Sequence, residues 1–281
     1  PAILRGTASW EIKVSGAPAA PSMDGRLTLR PLSVPAGRNA FALDEIQAIW
    51  AMRPDQTFEA SARGSGTGIT LTLEAKGSTV PGGATSGVLL VNAPAQRLNG
   101  LVPNAPTWES GQVECRAVFE IAPPAPPRVR WIVKGRGLNG AVQGLTRPVR
   151  DLEFDVDGDM ATANVQSLKL TLGSTTARVT GTVKQATPLG TGTFRVALDR
   201  FVAEEWVPAP AAKGARAKER AASHAPPPIP LGALDAVVEI GEVRSGGMRI
   251  TNLVAPLRFA GQTLSVAPIR GSIGTGSLEG G

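Results

Sequence analysis

Few residues of this chain can carry out side-chain chemistry. Among 281 residues there is one cysteine, one histidine and no tyrosine, and aromatic residues make up only 4%. The single cysteine, Cys115, excludes an intramolecular disulfide, and His224 lies in an alanine- and proline-rich run with no rigid partner for a nucleophile and base pair. No group of His, Cys and carboxylate residues has the spacing of metal ligands. The sequence therefore predicts a protein that is not an enzyme and needs no cofactor.

Long apolar runs and dense charge are also lacking. No stretch of 18 apolar residues exists, so no transmembrane helix is predicted within these residues, and no signal peptide is recognisable. The net charge of +6 comes from basic residues scattered among apolar neighbours, which argues against a nucleic-acid partner. Because the chain starts at Pro1 and stops in a glycine tail, we expect a segment of a longer protein, with any membrane anchor outside it.

What the chain has is glycine, proline and alternating apolar residues. There are 33 glycines and 24 prolines, and 42% of the residues are hydrophobic. Apolar residues recur with period two in short runs separated by turn residues, which is typical of antiparallel strands with one dry face. The clearest runs are 69–74, 152–156, 168–172, 194–198, 234–240, 257–259 and 264–266.

Several dipeptides predict the turns between these strands. Asp24-Gly25, Asp157-Gly158 and Gly246-Gly247 tolerate the positive φ of tight hairpin turns, and Gly261 is predicted as another corner. The segment 43–53 fits a helix face and a strand face equally well, and its neighbours favour a strand. The sequence thus predicts an all-β fold throughout.

Two short motifs have a chemical and a structural interpretation. Gly135–Gly140 (GRGLNG) has the spacing of a dinucleotide-binding loop, but no helix can follow it before Pro148. Asp155–Asp159 resembles the start of a calcium loop, but Gln166 occupies the position of the required Glu. For both motifs we favour strands and turns over ligand binding.

Composition divides the chain into five predicted segments. An N-terminal β segment covers 1–120, a Pro-rich linker 121–127 and a β repeat unit 128–206. A flexible insert rich in Ala, Pro, Lys and Arg covers 207–230, where no apolar period survives. A C-terminal β repeat unit covers 231–281.

The two β repeat units share one pattern. Asp151–Gly181 and Asn252–Gly280 each contain an alternating strand, a glycine turn, an alternating run that ends in glycine and a short strand that ends in glycine. A weaker copy spans Ala42–Gly77. Units that cannot bury one face alone and are repeated along an axis predict an elongated, twisted, mostly antiparallel β-sheet.

Particular motifs in these repeats resemble the C-terminal region of AsmA-like proteins of Gram-negative bacterial envelopes. The matching residues are Met248–Leu253 (MRITNL), Gly261–Val266 (GQTLSV) and Gly276–Gly280 (GSLEG), with a further similarity at Leu168–Val183. The opening GTASWEIKVSG also fits, so the resemblance covers most of the chain. The family's N-terminal membrane helix is absent from this sequence, and the insert 207–230 does not belong to the family pattern.

This resemblance implies a fold, a place and a role. The sheet is expected to form an open groove on the periplasmic side of the inner membrane of a Gram-negative bacterium. The implied function is to bind phospholipid acyl chains on an apolar sheet surface and to support lipid transport between the membranes and outer-membrane biogenesis. Phospholipid and membrane are the implied partners, the latter through the external anchor, and protein partners in the envelope stay undefined. The alternative is a β-sandwich with a closed core that serves as a structural or adhesive surface module.

The expected lipid surface consists of apolar residues in the alternating runs. Because they act as a surface, no single one is expected to be essential. They are Leu168, Leu170, Leu172, Phe194, Val196, Leu257, Phe259, Leu264, Val266 and Ile273.

Overall fold

The computed structural model describes residues 5–18, 20–36, 39–99, 106–141, 147–185, 190–203, 231–260 and 263–280. Contacts divide the chain into two compact units. Unit 1 comprises Pro1–Leu145 and Val149–Met160, and unit 2 comprises Thr146–Pro148 and Ala161–Gly281. The five segments predicted from composition stay a prediction.

Unit 1 is one antiparallel sheet in which β4 to β10 pair in sequence order. β2 pairs with β1, β3 and β4, and a short 3₁₀ helix (Ala95–Leu98) follows β7. The strands are β1 (Arg5–Ala17), β2 (Ala20–Ala36), β3 (Asn39–Leu43), β4 (Glu45–Met52), β5 (Thr57–Gly66), β6 (Ile69–Ser78), β7 (Thr85–Pro94), β8 (Thr107–Ile121), β9 (Arg128–Ala141) and β10 (Val149–Gly158).

Unit 2 is a second run of paired strands. They are β11 (Thr162–Leu172), β12 (Thr175–Lys184), β13 (Gly190–Val202), β14 (Leu231–Ser245), β15 (Met248–Ala260), β16 (Thr263–Val266), β17 (Ile269–Ile273) and β18 (Gly276–Gly280). All pairs are antiparallel except β13 with β14, which is parallel. A parallel pair needs a long connection between its strands, and in the sequence the predicted insert 207–230 lies between β13 and β14.

These observations confirm the all-β, mostly antiparallel fold and an open sheet. Within each unit the described strands belong to one hydrogen-bonded sheet, so neither unit shows the two facing sheets of the sandwich alternative. The ambiguous segment 43–53 is extended and not helical, as its neighbours indicated: Leu43 ends β3, and residues 45–52 form β4. Among the described residues, no helix is long and apolar enough to span a membrane.

The turns follow the sequence predictions in part. Gly246 and Gly247 have φ of 54° and 85° and link β14 to β15, which confirms that hairpin. β10 ends at Gly158, in agreement with a turn there, whereas Gly261 lies outside the described residues. The hairpin predicted at Asp24-Gly25 is wrong, because both residues lie inside β2, where they pair with Lys13 and Ile12 of β1.

The repeated glycine pattern corresponds to two similar hairpins. Leu172 pairs with Thr175 across a turn containing Gly173, and Ile273 pairs with Gly276 across a turn containing Gly274. Both turn glycines have positive φ, 58° and 59°, a conformation that favours glycine.

The buried core of unit 1 is small. Leu43, Ile69 and Ala93 form one cluster, to which Ile46 adds partial cover. Leu138 in β9 is only 1% exposed. Most other large apolar side chains in the described strands are half-buried or exposed, so a sheet surface, and not an interior, holds most of the apolar residues.

Candidate functional site

Nine of the ten predicted surface residues lie on one face of the unit 2 sheet. Directly paired residues of neighbouring strands share a face, and so do alternate residues of one strand. Leu168 is linked through Val179 to Val196, and Phe194 is linked through Ala236 to Leu257. The same face therefore holds Leu168, Leu170, Leu172, Phe194, Val196, Leu257, Phe259, Leu264 and Val266.

Ile273 is the predicted residue that the register does not join to the other nine. It pairs with Ile250 of β15. In β15, Asn252 lies between Ile250 and Leu253. Its φ of 54° interrupts the alternation of side chains between the two faces of the sheet. Ile273 is thus a neighbour of the surface and not a member of its rows.

Side chains on this face are incompletely covered. The small residues Ala177, Ala236 and Ala255 are buried between larger neighbours, whereas Leu168, Leu170 and Phe194 are only half-buried. Toward β16 the exposure rises, to 61% for Leu264. We call this the apolar face of unit 2.

Unit 1 has an apolar face of the same kind, which the sequence analysis did not single out. Three uncharged rows of directly paired residues run across its strands. The sequence shows alternating apolar and polar residues in each strand. Only the pairing register shows that the apolar residues of neighbouring strands lie side by side and form one surface. One row is Trp10, Leu27, Ala48, Ala62, Leu73, Leu89, Ala117 and Trp131. The second begins at Ile12 and the third at Ala8, with Cys115 and Val133 near its end.

Glycines lie beneath aromatic rings at four places on these faces. In each case the glycine and the aromatic residue are direct cross-strand partners, and a Cβ on the glycine would overlap the ring. An aromatic side chain that covers a strand glycine compensates for its missing side chain. The pairs are Gly25 with Trp50, Gly87 with Phe119, Gly135 with Phe154 and Gly181 with Phe194.

This arrangement accounts for part of the motif Gly135–Gly140. Gly135 lies under Phe154, and all six residues belong to β9. They are therefore strand residues and not a loop that precedes a helix. Asp155, from the calcium-like motif, is a strand residue of β10 whose carboxylate lies 3.2 Å from Lys134 Nζ.

The opposite face of each unit carries the charges. In unit 2, Arg195 lies 2.6 Å from Glu239, and Arg258 lies 3.7 Å from Asp235. Glu239 accepts a hydrogen bond from Arg195, and this bond and the nearby carboxylate raise the pKa of the guanidinium. We call these surfaces the charged faces.

The charged face of unit 1 contains a groove of ≈ 970 Å³. Two rows of side chains border it, one from Glu11 to Val118 and one from Lys13 to Glu120. Its lining mixes carboxylates and ammonium or guanidinium groups with a few apolar side chains such as Ile49 and Val88. This groove was not predicted, and it lies on the side of the sheet opposite to the apolar rows.

The single cysteine of the chain is Cys115, and its single histidine is His224. Cys115 lies on the apolar face of unit 1, where burial raises the pKa of its thiol above the usual value. A thiol with a raised pKa is a weak nucleophile at neutral pH. His224 lies outside the described residues, as does the insert 207–230. In the part of the chain that the structure describes, no three His, Cys, Asp or Glu residues are grouped to hold a metal ion.

Comparisons with known protein families, curated proteins and solved structures found no match to this chain.

Proposed function

We propose that this chain is a segment of an AsmA-like envelope protein that binds phospholipid acyl chains on its apolar sheet faces. The observation that carries the proposal is the segregation of the two faces. The three uncharged rows of unit 1, and the rows of Phe194 and Val196 in unit 2, each lie on one side of their sheet with their large side chains half-exposed, and the ion pair of Arg195 and Glu239 lies on the other side of the unit 2 sheet. Contiguous exposed apolar surface of this kind marks an interaction site.

The dimensions of unit 1 suit an acyl chain. The row from Trp10 to Trp131 crosses eight strands, and at about 4.8 Å per strand it extends over about 34 Å along the sheet. One leaflet of a bilayer core is about 15 Å deep. An extended acyl chain therefore fits along such a row without reaching its end.

The energetics favour a lipid with two chains. Full burial of a methylene contributes about 0.8 kcal/mol, and an open face covers roughly half of a chain, so about 0.4 kcal/mol per methylene is expected. Twelve methylenes then contribute roughly 5 kcal/mol, which is of the same order as the free energy that association itself costs. Two chains double this term, so a phospholipid is expected to bind far better than a free fatty acid.

The groove on the charged face is a poorer place for acyl chains. Its lining includes Glu59, Glu74 and Lys76, and covering such groups with hydrocarbon removes their hydration. The acyl chains are therefore assigned to the apolar face, with headgroups beyond its edge in water.

The rest of the role follows from the family resemblance in the motifs Met248–Leu253 and Gly276–Gly280. We infer a non-enzymatic protein on the periplasmic side of the inner membrane, anchored through a part outside these residues, that supports lipid transport toward the outer membrane. Partial exposure of the apolar rows supports this role over the alternative, a structural or adhesive module with a closed core.

The test combines charge substitutions with native mass spectrometry of gently purified protein. Leu170→Asp with Phe259→Asp places two carboxylates on the apolar face of unit 2 and is expected to reduce bound phospholipid while the sheet stays folded by circular dichroism. The matched control, Thr180→Asp with Val237→Asp, places the same charges on the opposite face, beside Arg195, and is expected to keep bound lipid. Unchanged lipid binding in the first variant, or a wild-type chain that takes up no phospholipid, would favour the structural module.

A further inference from the structure

The apolar rows of unit 2 end at a charged row on strands β13 and β14. Ile240 is the last apolar residue of the alternating run of β14 on this face, and the next residue on the same side is Glu242. β13 changes in the same way from Leu198 to Arg200, and Arg200 is the direct partner of Glu242. The apolar face of unit 2 is therefore bounded by charged side chains at this end.

Two further arginines follow in the next row, on the β14–β15 hairpin. Arg244 and Arg249 pair directly with each other, a position in which like charges repel. Oε1 of Glu242 lies 2.9 Å from Nε of Arg244 and 2.5 Å from Nε of Arg249. Besides the hydrogen bond from Arg244, the charge of Arg200 helps to lower the pKa of Glu242, so a third guanidinium group lies near this carboxylate.

The cluster formed by these residues carries an excess of positive charge. Three guanidinium groups surround one carboxylate, that of Glu242, whose side chain is only 16% exposed. Asp199 also lies 3.8 Å from Nε of Arg200, but its Oδ1 accepts hydrogen bonds from two backbone N–H groups. Arg244 uses only Nε and one terminal nitrogen for Glu242, so donors of its exposed guanidinium group are available to a ligand. We call this group the arginine cluster: Arg200, Glu242, Arg244 and Arg249.

The length of the apolar rows beside the arginine cluster matches the acyl chains of a phospholipid. Leu234 and Ile240 lie on the apolar face of β14, six residues apart, which corresponds to about 20 Å along the strand. The hydrocarbon of one bilayer leaflet is about 15 Å deep. An acyl chain that lies along the strands therefore fits on the apolar rows while its headgroup reaches the arginine cluster.

We propose that the arginine cluster binds the phosphate group of a phospholipid whose acyl chains lie along the strands on the apolar face of unit 2. The inference rests on the proposed function and adds to it the chemical class of the headgroup, a phosphate ester. Guanidinium groups bind phosphate through paired, charge-assisted hydrogen bonds, and the phosphate also offsets the repulsion between Arg244 and Arg249. Glu242 competes with the phosphate for the same donors.

Titration of the full chain with two lipids that differ only in the phosphate tests this site. Isothermal titration calorimetry compares dioctanoyl phosphatidic acid with dioctanoylglycerol, both below their critical micelle concentrations. The wild type is expected to bind the phosphatidic acid about tenfold more tightly, or better, because charge-assisted hydrogen bonds form only with the phosphate. Inorganic phosphate is expected to bind more weakly than the phosphatidic acid, because it gains nothing from the apolar rows.

Substitutions in the arginine cluster are expected to change this preference in opposite directions. Arg244→Gln with Arg249→Gln should weaken phosphatidic acid binding about tenfold and leave dioctanoylglycerol binding unchanged. Glu242→Gln removes the competing carboxylate and should strengthen phosphatidic acid binding about three- to fivefold, a gain that a purely structural cluster would not give. The matched control, Arg195→Gln with Arg258→Gln, removes two arginines from the charged face of unit 2 and should change neither affinity.

The outcomes separate the phosphate site from the proposed function. Thermal unfolding followed by circular dichroism establishes that each variant is folded at the temperature of the titration. Equal wild-type affinity for the two lipids, or unchanged phosphatidic acid binding in the double arginine variant, would overturn the phosphate site and leave acyl-chain binding intact. Binding of inorganic phosphate but of neither lipid would overturn both.

Discussion

Trp50 lies across Gly25, its direct partner on β2, so closely that a Cβ at position 25 would overlap the indole ring. The glycine that looks like a turn residue in the sequence is therefore a packing site in the middle of a sheet. Similar pairs at Gly87, Gly135 and Gly181 indicate that the apolar faces are built around glycines covered by rings.

Gly25→Ala is expected to destabilise the protein by about 1–3 kcal/mol, because the added methyl forces Trp50 out of place. In a Trp50→Ala background the same change is expected to be neutral or stabilising, since alanine suits a strand interior better than glycine by roughly 0.5–1 kcal/mol. Chemical denaturation of the four proteins in this cycle measures the coupling. Gly280→Ala is the control, because a Cβ there meets nothing within 4 Å. Equal effects of Gly25→Ala in both backgrounds would contradict the contact.

Truncation of leucines is expected to distinguish the core from the apolar face. Leu138→Ala removes a side chain that is 1% exposed and should cost about 2–5 kcal/mol. Leu170→Ala, on the half-exposed face of unit 2, should cost roughly half as much, because less surface is returned to water. Equal losses in urea unfolding would mean that a second layer covers the apolar face.

Cys115 offers a native probe of the apolar face. Its raised thiol pKa predicts slow alkylation at pH 7 that accelerates as the pH rises toward and above the usual thiol value. Phospholipid vesicles are expected to slow the reaction further. A control thiol on the charged face, Arg116→Cys in a Cys115→Ser background, should react fast with or without lipid. Protection of the control thiol, and not of Cys115, would show that the lipid binds the charged face of unit 1, which contradicts the proposed function.

Glu242 is expected to stabilise the β14–β15 hairpin in a pH-dependent way. Arg244 of β14 and Arg249 of β15 pair with each other across the hairpin. Glu242 Oε1 lies 2.9 Å from Nε of Arg244 and 2.5 Å from Nε of Arg249. The hydrogen bond from Arg244, with the nearby positive charges, lowers the pKa of Glu242 below its ordinary value of 4.5. A lowered pKa stabilises the folded state above pH 4.5, and this contribution disappears as the pH falls through the folded-state pKa.

Glu242→Gln should therefore lower the melting temperature at pH 7, and its difference from the wild type should shrink below pH 4.5. Thermal unfolding followed by circular dichroism from pH 7 to pH 3 measures this difference. A difference that stays constant with pH would show that the ionisation of Glu242 makes no contribution.

The sequence predicts the strands well because each alternating run is a local signal. The runs 168–172 and 194–198 are strands, and the pairing register places their apolar residues on one face. Gly25 shows where local signals fail: Asp-Gly favours a hairpin, but packing against Trp50, 25 residues away, decides the structure. The groove on the charged face was not predictable, because it depends on how the paired strands of unit 1 curve. The apolar rows of unit 1 needed the register of eight strands, which no single run contains.

The most direct test of the central claim is residue-level mapping of a phospholipid that carries a photoactivatable diazirine in its acyl chain. After illumination, tandem mass spectrometry locates the labelled residues. The account predicts label on the apolar faces, at residues such as Leu73, Leu89 and Leu170, and little on their strand neighbours Thr72, Leu90 and Lys169 of the charged faces. Label concentrated on the groove residues Ile49 and Val88, or no label above a competitor-lipid control, would contradict it.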